Sequence, residues 1–191
     1  MKKVTFLLAI AAIMSFTVAD QAVWKLDKSH AKLGFSITHL MLSDVEGSFK
    51  NVDATIISSK EDFSDAVINL TADVNSINTD DDKRDTHLKS PDFFEVAKYP
   101  TLTFKSKSFT KVAGKAYKLT GDLTLHGITK TVVLDVTFNG IGVHPYTKKS
   151  VAGFKIKGTI NRSDFGIGTK FPSAMLSDEV EIDANAEFIK D

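Results

Sequence analysis

From Ala22 to its C-terminus the chain is written largely with a period of two. Leu33, Phe35, Ile37 and His39 alternate with Lys32, Gly34, Ser36 and Thr38. The set Ala66, Ile68, Leu70, Ala72 and Val74 does the same, as do Leu119, Gly121, Leu123 and Leu125. Val132 to Phe138 and Ala152 to Ile160 follow, and Val180, Ile182, Ala184, Ala186 and Phe188 against Glu179 to Glu187 form the cleanest run. Successive side chains of a strand point to opposite faces, so such runs predict strands with one apolar and one wet face. The short connections favour an antiparallel meander.

Several runs exceed the usual five or six residues of a strand. About eight long, one-faced strands suit a closed barrel, because closure removes the exposed edges. The expected fold is therefore all-β, an extended eight-stranded antiparallel barrel with one short helical connection. The inner set mixes Gly47, Gly121, Gly158, Ala66, Ala72, Ala184 and Ala186 with Phe35, Phe49, Phe104, Phe138, Phe154 and Phe188. Eight strands either pack their own interior or hold one small ligand, and periodicity does not choose between the two.

The N-terminus carries a different signal. Lys2 and Lys3 precede an apolar stretch, Phe6 to Met14, and small residues stand at Thr17 and Ala19. This is a secretory-leader pattern, too short to span a bilayer, with cleavage expected after Ala19. Residues 20–191 would then form one exported, periplasmic or secreted domain with no later membrane span. The 24 basic and 24 acidic residues leave no basic excess for nucleic acid. With no cysteine, disulfides, thiol nucleophiles and Cys-ligated metals are excluded.

Residues 77–99 break the alternation. Thr79 precedes three acids as a candidate N-cap, and Ser90-Pro91-Asp92 reads as a second cap leading into Phe93 and Phe94. The segment is expected to be a helical connection across one barrel end, with Arg84 and Asp85 clipping it down. A second irregular stretch, Ser163–Ser177, contains Gly166, Gly168 and Pro172. Five histidines are present, none in an HxH or HExxH pair, and no metal or cofactor site is expected. No Ser lies in a GxSxG elbow, and no Gly-rich phosphate loop follows a strand. His39 is either a rim histidine bonded to backbone or a polar group that meets the polar end of a ligand.

Several strings are distinctive: LDKSHAKLGFSITHL (Leu26–Leu40), VEGSFKNVDATI (Val45–Ile56), RDTHLKSPDFFEVAKYPTLTFKS (Arg84–Ser106), GDLTLHGITKTVVLD (Gly121–Asp135) and RSDFGIG (Arg162–Gly168). Together they resemble the YceI-like family of exported, lipocalin-like proteins also described as polyisoprenoid-binding. The resemblance implies a hollow barrel around a polyisoprenoid or similar single-chain amphiphile, such as a fatty acid or fatty amide. It implies ligand contacts from Phe35, Ile37, His39 and Phe49, from Phe93 and Phe94, and from Leu102 and Phe104, with His39 nearest the head group. It also leaves room for a homodimer. The expected role is non-enzymatic binding or transport. The alternatives are a lipid-modifying enzyme using His39, His87 and a nearby acid, or a packed, ligand-free interaction module.

Overall fold

The alternating runs form strands throughout the computed structural model, which describes residues 21–191. The expected leader, residues 1–19, lies outside the described residues. The strand segments are β1 (Ala22–Leu26), β2 (Lys32–His39), β3 (Ser43–Phe49), β4 (Val52–Ser58), β5 (Val67–Asp73) and β6 (Ile77–Asn78). After the helix α1 (Asp82–Leu88) come β7 (Thr101–Ala113), β8 (Ala116–Leu125), β9 (Ile128–Val143), β10 (Ser150–Asn161) and β11 (Leu176–Lys190).

These eleven segments build an eight-stranded antiparallel barrel, because three wall strands are each broken in two. The last strand shows how: Ala184 of β11 pairs with Leu33 of β2, and further along Phe188 pairs with Leu26 of β1. A short 3-10 turn at Lys28–His30, capped by Asp27, separates the two halves. Val74–Ser76, capped by Asp73, breaks β5 from β6 in the same way. Asp and Ser side chains satisfy backbone groups that the ladder drops at such breaks. The β1–β11 pairing closes the sheet and leaves an up-and-down meander.

One end of the barrel is plugged. Phe63, fully buried, turns inward from the β4–β5 loop and meets Trp24, Phe138 and Phe154 at ring-centroid distances of 5.2, 5.2 and 5.3 Å. Edge-to-face packing of this kind adds to the area each ring buries. Asp65 fixes the loop, accepting hydrogen bonds from the Ser58 hydroxyl (2.5 Å), the Ser59 hydroxyl and the Ser59 amide (3.0 Å). Those hydroxyls, Ser58 first, hold the Asp65 carboxyl far below the ordinary aspartate range. At the β1–β2 break, the Ser29 hydroxyl and then His30 lower Asp27 to about 2.

Both groups favour the carboxylate in the folded state, so their stabilisation is complete above the ordinary value of 3.8 and fades as pH falls below it. The melting temperature is therefore expected to hold a plateau near pH 5 and to fall between about pH 4 and 2. Asp65→Asn should lower the plateau and flatten that acid limb. An unchanged limb in scanning calorimetry would remove Asp65 from the account.

The other end is the mouth, framed by the β2–β3 hairpin, α1 with the turns after it, and the stretch before β11. Here the helical connection is shorter than its sequence suggests. Only residues 82–88 are helical, and residues 91–94 form turns with no second helix. The N-cap is Asp81, whose carboxylate accepts from the amides of Lys83 and Arg84, both at 3.0 Å. Thr79 is buried instead, with its amide and hydroxyl bonded to Asp85 at 2.9 and 2.6 Å. Strand β7 leads away from this end and runs on to Ala113.

Candidate binding cavity

The inward apolar residues do not meet at the barrel axis. They enclose a cavity of about 480 Å3, within the usual span of small-molecule sites. The glycines on the inner face explain why the space stays open. A Cβ on Gly47 would lie 2.3 Å from Cζ of Phe35, one on Gly121 would lie 2.3 Å from Cζ of Phe104, and one on Gly158 would lie 2.4 Å from Cδ2 of Leu134. Each large side chain lies back over a glycine on a neighbouring strand instead of projecting into the lumen. The sequence mixture of small and large inner residues is thus the signature of a lined cavity.

All eight residues singled out from the sequence border this cavity. Phe35, Ile37 and His39 come from β2, Phe49 from β3, Phe93 and Phe94 from the turns after α1, and Leu102 and Phe104 from β7. Phe49 links two of these groups, 5.9 Å from Phe35 and 6.0 Å from Phe94 between ring centroids. Phe93 stacks on Phe171 at 4.9 Å, and His87 meets its edge at 5.0 Å. His39 stands exposed at the rim, where strand alternation and the end of β2 both put it. His87 lies 3.7 Å from the Asp92 carboxylate, also at the mouth.

Polar groups border the cavity in two places. Thr79, Arg84, His87 and His39 stand at the mouth, whereas Lys28, Lys32, Lys50 and Asn185 stand where the wall strands are broken. Arg84 anchors the connection, donating from Nε to the Thr79 hydroxyl (2.8 Å) and from Nη2 to the Thr79 carbonyl (2.6 Å). Arg84 and Asp85 therefore both grip Thr79, as the clip reading expected, though not each other. The Nη1 nitrogen of Arg84 has no partner among the described residues, so one face of a fixed cation remains available beside the cavity.

Sequence reasoning passed over Arg162, which organises the rim. It is 5% exposed, and all five guanidinium N–H groups are directed at backbone carbonyls. Nε donates to Ser177 (3.0 Å), Nη1 to Ile167 (3.0 Å) and Gly168 (2.6 Å), and Nη2 to Phe171 (2.7 Å) and Leu176 (2.9 Å). The Ser163–Ser177 stretch has no ladder of its own through this region, and one side chain supplies the donors. Its local signals are its place at the end of a strand and at the head of the RSDFGIG string, neither of which shows the five carbonyls it serves.

A hollow, apolar barrel of this build has known counterparts. A model of the YceI-like domain matches residues 24–188. The chain belongs to the YceI-like family. A UPF0312 protein of Staphylococcus aureus (strain bovine RF122 / ET3-1) is 40% identical over 166 residues, covering 85% of this chain and 94% of the relative. The crystal structure of Burkholderia cenocepacia BcnA superposes with a TM-score of 0.76 at 27% identity, covering 85% of this chain and 98% of that one. A polyisoprenoid binding domain from Saccharophagus degradans, implicated in plant cell wall breakdown, gives a TM-score of 0.67 at 17% identity over 88% and 98% of the two chains. The last likeness speaks for the fold alone. Lipocalin-like architecture is thus shared across the YceI-like barrels, and no helix among the described residues is long and apolar enough to cross a membrane.

Proposed function

We propose that this YceI-like protein is a non-enzymatic carrier in the periplasm that shelters one single-chain amphiphile, a polyisoprenoid or fatty chain, inside the barrel. The observation that carries the reading is an apolar cavity of about 480 Å3, plugged at one end and bearing a cation with unspent donors at the other. Each methylene moved from water into such a lining contributes about 0.8 kcal/mol, so ten give roughly 8 kcal/mol. That sum is comparable with a gross micromolar affinity and must still offset the loss of ligand freedom. Affinity should therefore rise with chain length and lean on the head group. The polyisoprenoid binding of the Saccharophagus domain, which shares this fold, supports the choice of ligand class. The leader pattern at the N-terminus supports the periplasmic setting.

The Arg84 guanidinium is the natural partner of a carboxylate or phosphate head, since charge-assisted hydrogen bonds are about twice as strong as neutral ones. Native mass spectrometry of protein recovered from its own periplasm, followed by solvent extraction, tests the reading. A 1:1 adduct with a single-chain lipid is expected. In titrations, Arg84→Gln should weaken a fatty acid about tenfold, or ~1.4 kcal/mol, and leave the matching fatty alcohol unchanged. A clean apo mass that refuses added chains would overturn the carrier, and a ligand returned chemically altered would point to the lipid-modifying alternative.

A further inference from the structure

The tip of the β2–β3 hairpin is built in an unusual way. Leu40, Met41 and Leu42 are consecutive apolar residues, exposed to 46%, 74% and 84%. The Leu42 amide donates to the His39 carbonyl at 3.0 Å and closes a tight turn. Leu40 and Met41 are its central residues, at φ 52° and 58°. Two left-handed residues in a hairpin turn normally call for Asn-Gly, because a bulky side chain crowds its own backbone there. Here the strained positions carry large apolar side chains and hold them out into solvent. Strain kept at a site is a pointer to use of that site.

The tip is continuous with the mouth. His39 beneath it borders the cavity, and the Leu40 amide donates to the Met175 carbonyl at 2.8 Å. Met175 also borders the cavity and is 43% exposed, so it extends the apolar knob across the opening. Directly below, Thr38 and Asp44 join side chains at 2.8 Å and mark where the polar surface resumes. Four side chains on a convex knob offer a few hundred Å2, well short of the ~800 Å2 per partner that a stable protein interface needs. A bilayer accepts a narrow apolar wedge of one side chain's depth. The segments that frame the mouth carry charges of both signs, with Asp44, Asp80 and Asp82 against Lys83, Lys89 and Lys170, so no single-sign run points to a charged partner.

We infer that the Leu40–Leu42 tip, together with Met175, is a membrane-docking wedge that seats the mouth on a lipid surface so that a chain passes between bilayer and cavity without crossing water. The inference rests on the carrier reading above. Its test uses phosphatidylcholine vesicles loaded with a fluorescent fatty acid. Met41→Asp with Leu42→Asp should slow transfer from vesicles at least tenfold and abolish co-flotation, while uptake of the same label from dilute aqueous solution is unchanged. Leu40→Asn with Met41→Gly suits the turn, so it should lose co-flotation without lowering the melting temperature. Tyr146→Asp, at an 89% exposed residue on the β9–β10 hairpin of the plugged end, should behave as wild type. Salt near 1 M should not release the protein, since apolar insertion is unscreened.

Wild-type transfer rates in both tip variants would overturn the wedge. So would equal loss in Tyr146→Asp, or a dimer in size-exclusion chromatography that the tip variants dissolve with no vesicle binding at all. Failure of the wild type to take up label even from solution would instead sink the carrier reading itself.

Discussion

Phe35→Asp is expected to lower chain uptake at least a hundredfold, while Asp80→Ala leaves it unchanged. Phe35 lies over Gly47 with its ring 5.9 Å from Phe49, so the new carboxylate would stand in the apolar wall of the cavity. Burying a charge without a partner costs several kcal/mol, and a carboxylate that stays hydrated instead keeps water in the space the chain must fill. Asp80 is exposed at the start of the connection and borders no part of the cavity. A fluorescent fatty-acid titration reads the difference, with Phe35→Leu as the control that keeps an apolar wall. Equal uptake by the Phe35→Asp and Asp80→Ala variants would contradict the assignment of the cavity as the chain site.

Arg162→Met is expected to cost about 3–5 kcal/mol of stability, on the scale of breaking a buried charged contact. For a domain of this size that corresponds to a fall in melting temperature of roughly 10–15 °C. The substitution keeps the side chain's length and removes its five donors, leaving the carbonyls of Ile167, Gly168, Phe171, Leu176 and Ser177 without their partner. Arg162→Lys should rescue little, because an ammonium has three donors around a point and not a planar fork of five. Hydrogen exchange distinguishes a local from a global effect. Amides in 163–177 should lose protection first, with the β8–β10 ladders holding. A melting temperature within about 2 °C of wild type would mean that water already serves those carbonyls.

Much of this molecule is legible in the sequence, because strand alternation is a local property of the backbone. Residues two apart share a face whatever the rest of the chain does, so Phe35, Ile37 and Phe104 could be assigned inward without knowing their neighbours. The resemblance carried by strings such as RDTHLKSPDFFEVAKYPTLTFKS supplied hollowness, which periodicity had left open. Other features were hidden because they depend on contacts distant along the chain. Phe63 sits in a polar loop, and its partners Trp24, Phe138 and Phe154 are far away in sequence. Thr79 looked like a helix cap since it precedes three acids, yet the buried Asp85 side chain competes for it and the cap passes to Asp81. The breaks after Leu26, Phe49 and Asp73 turn three continuous wall strands into six segments, at positions only barrel closure requires.

The faces of the strands, the antiparallel order that short connections permit and the family resemblance were all readable from the amino-acid order. Which end is closed was not. Nor was the way Phe35, Phe104 and Leu134 fold back over glycines to leave a lumen, or the way Arg162 and the strained Leu40-Met41 turn shape the mouth. The difference is one of range. A side chain's face follows from its own backbone, whereas an empty volume, a donor shared among five carbonyls and a knob beside an opening exist only when distant segments meet.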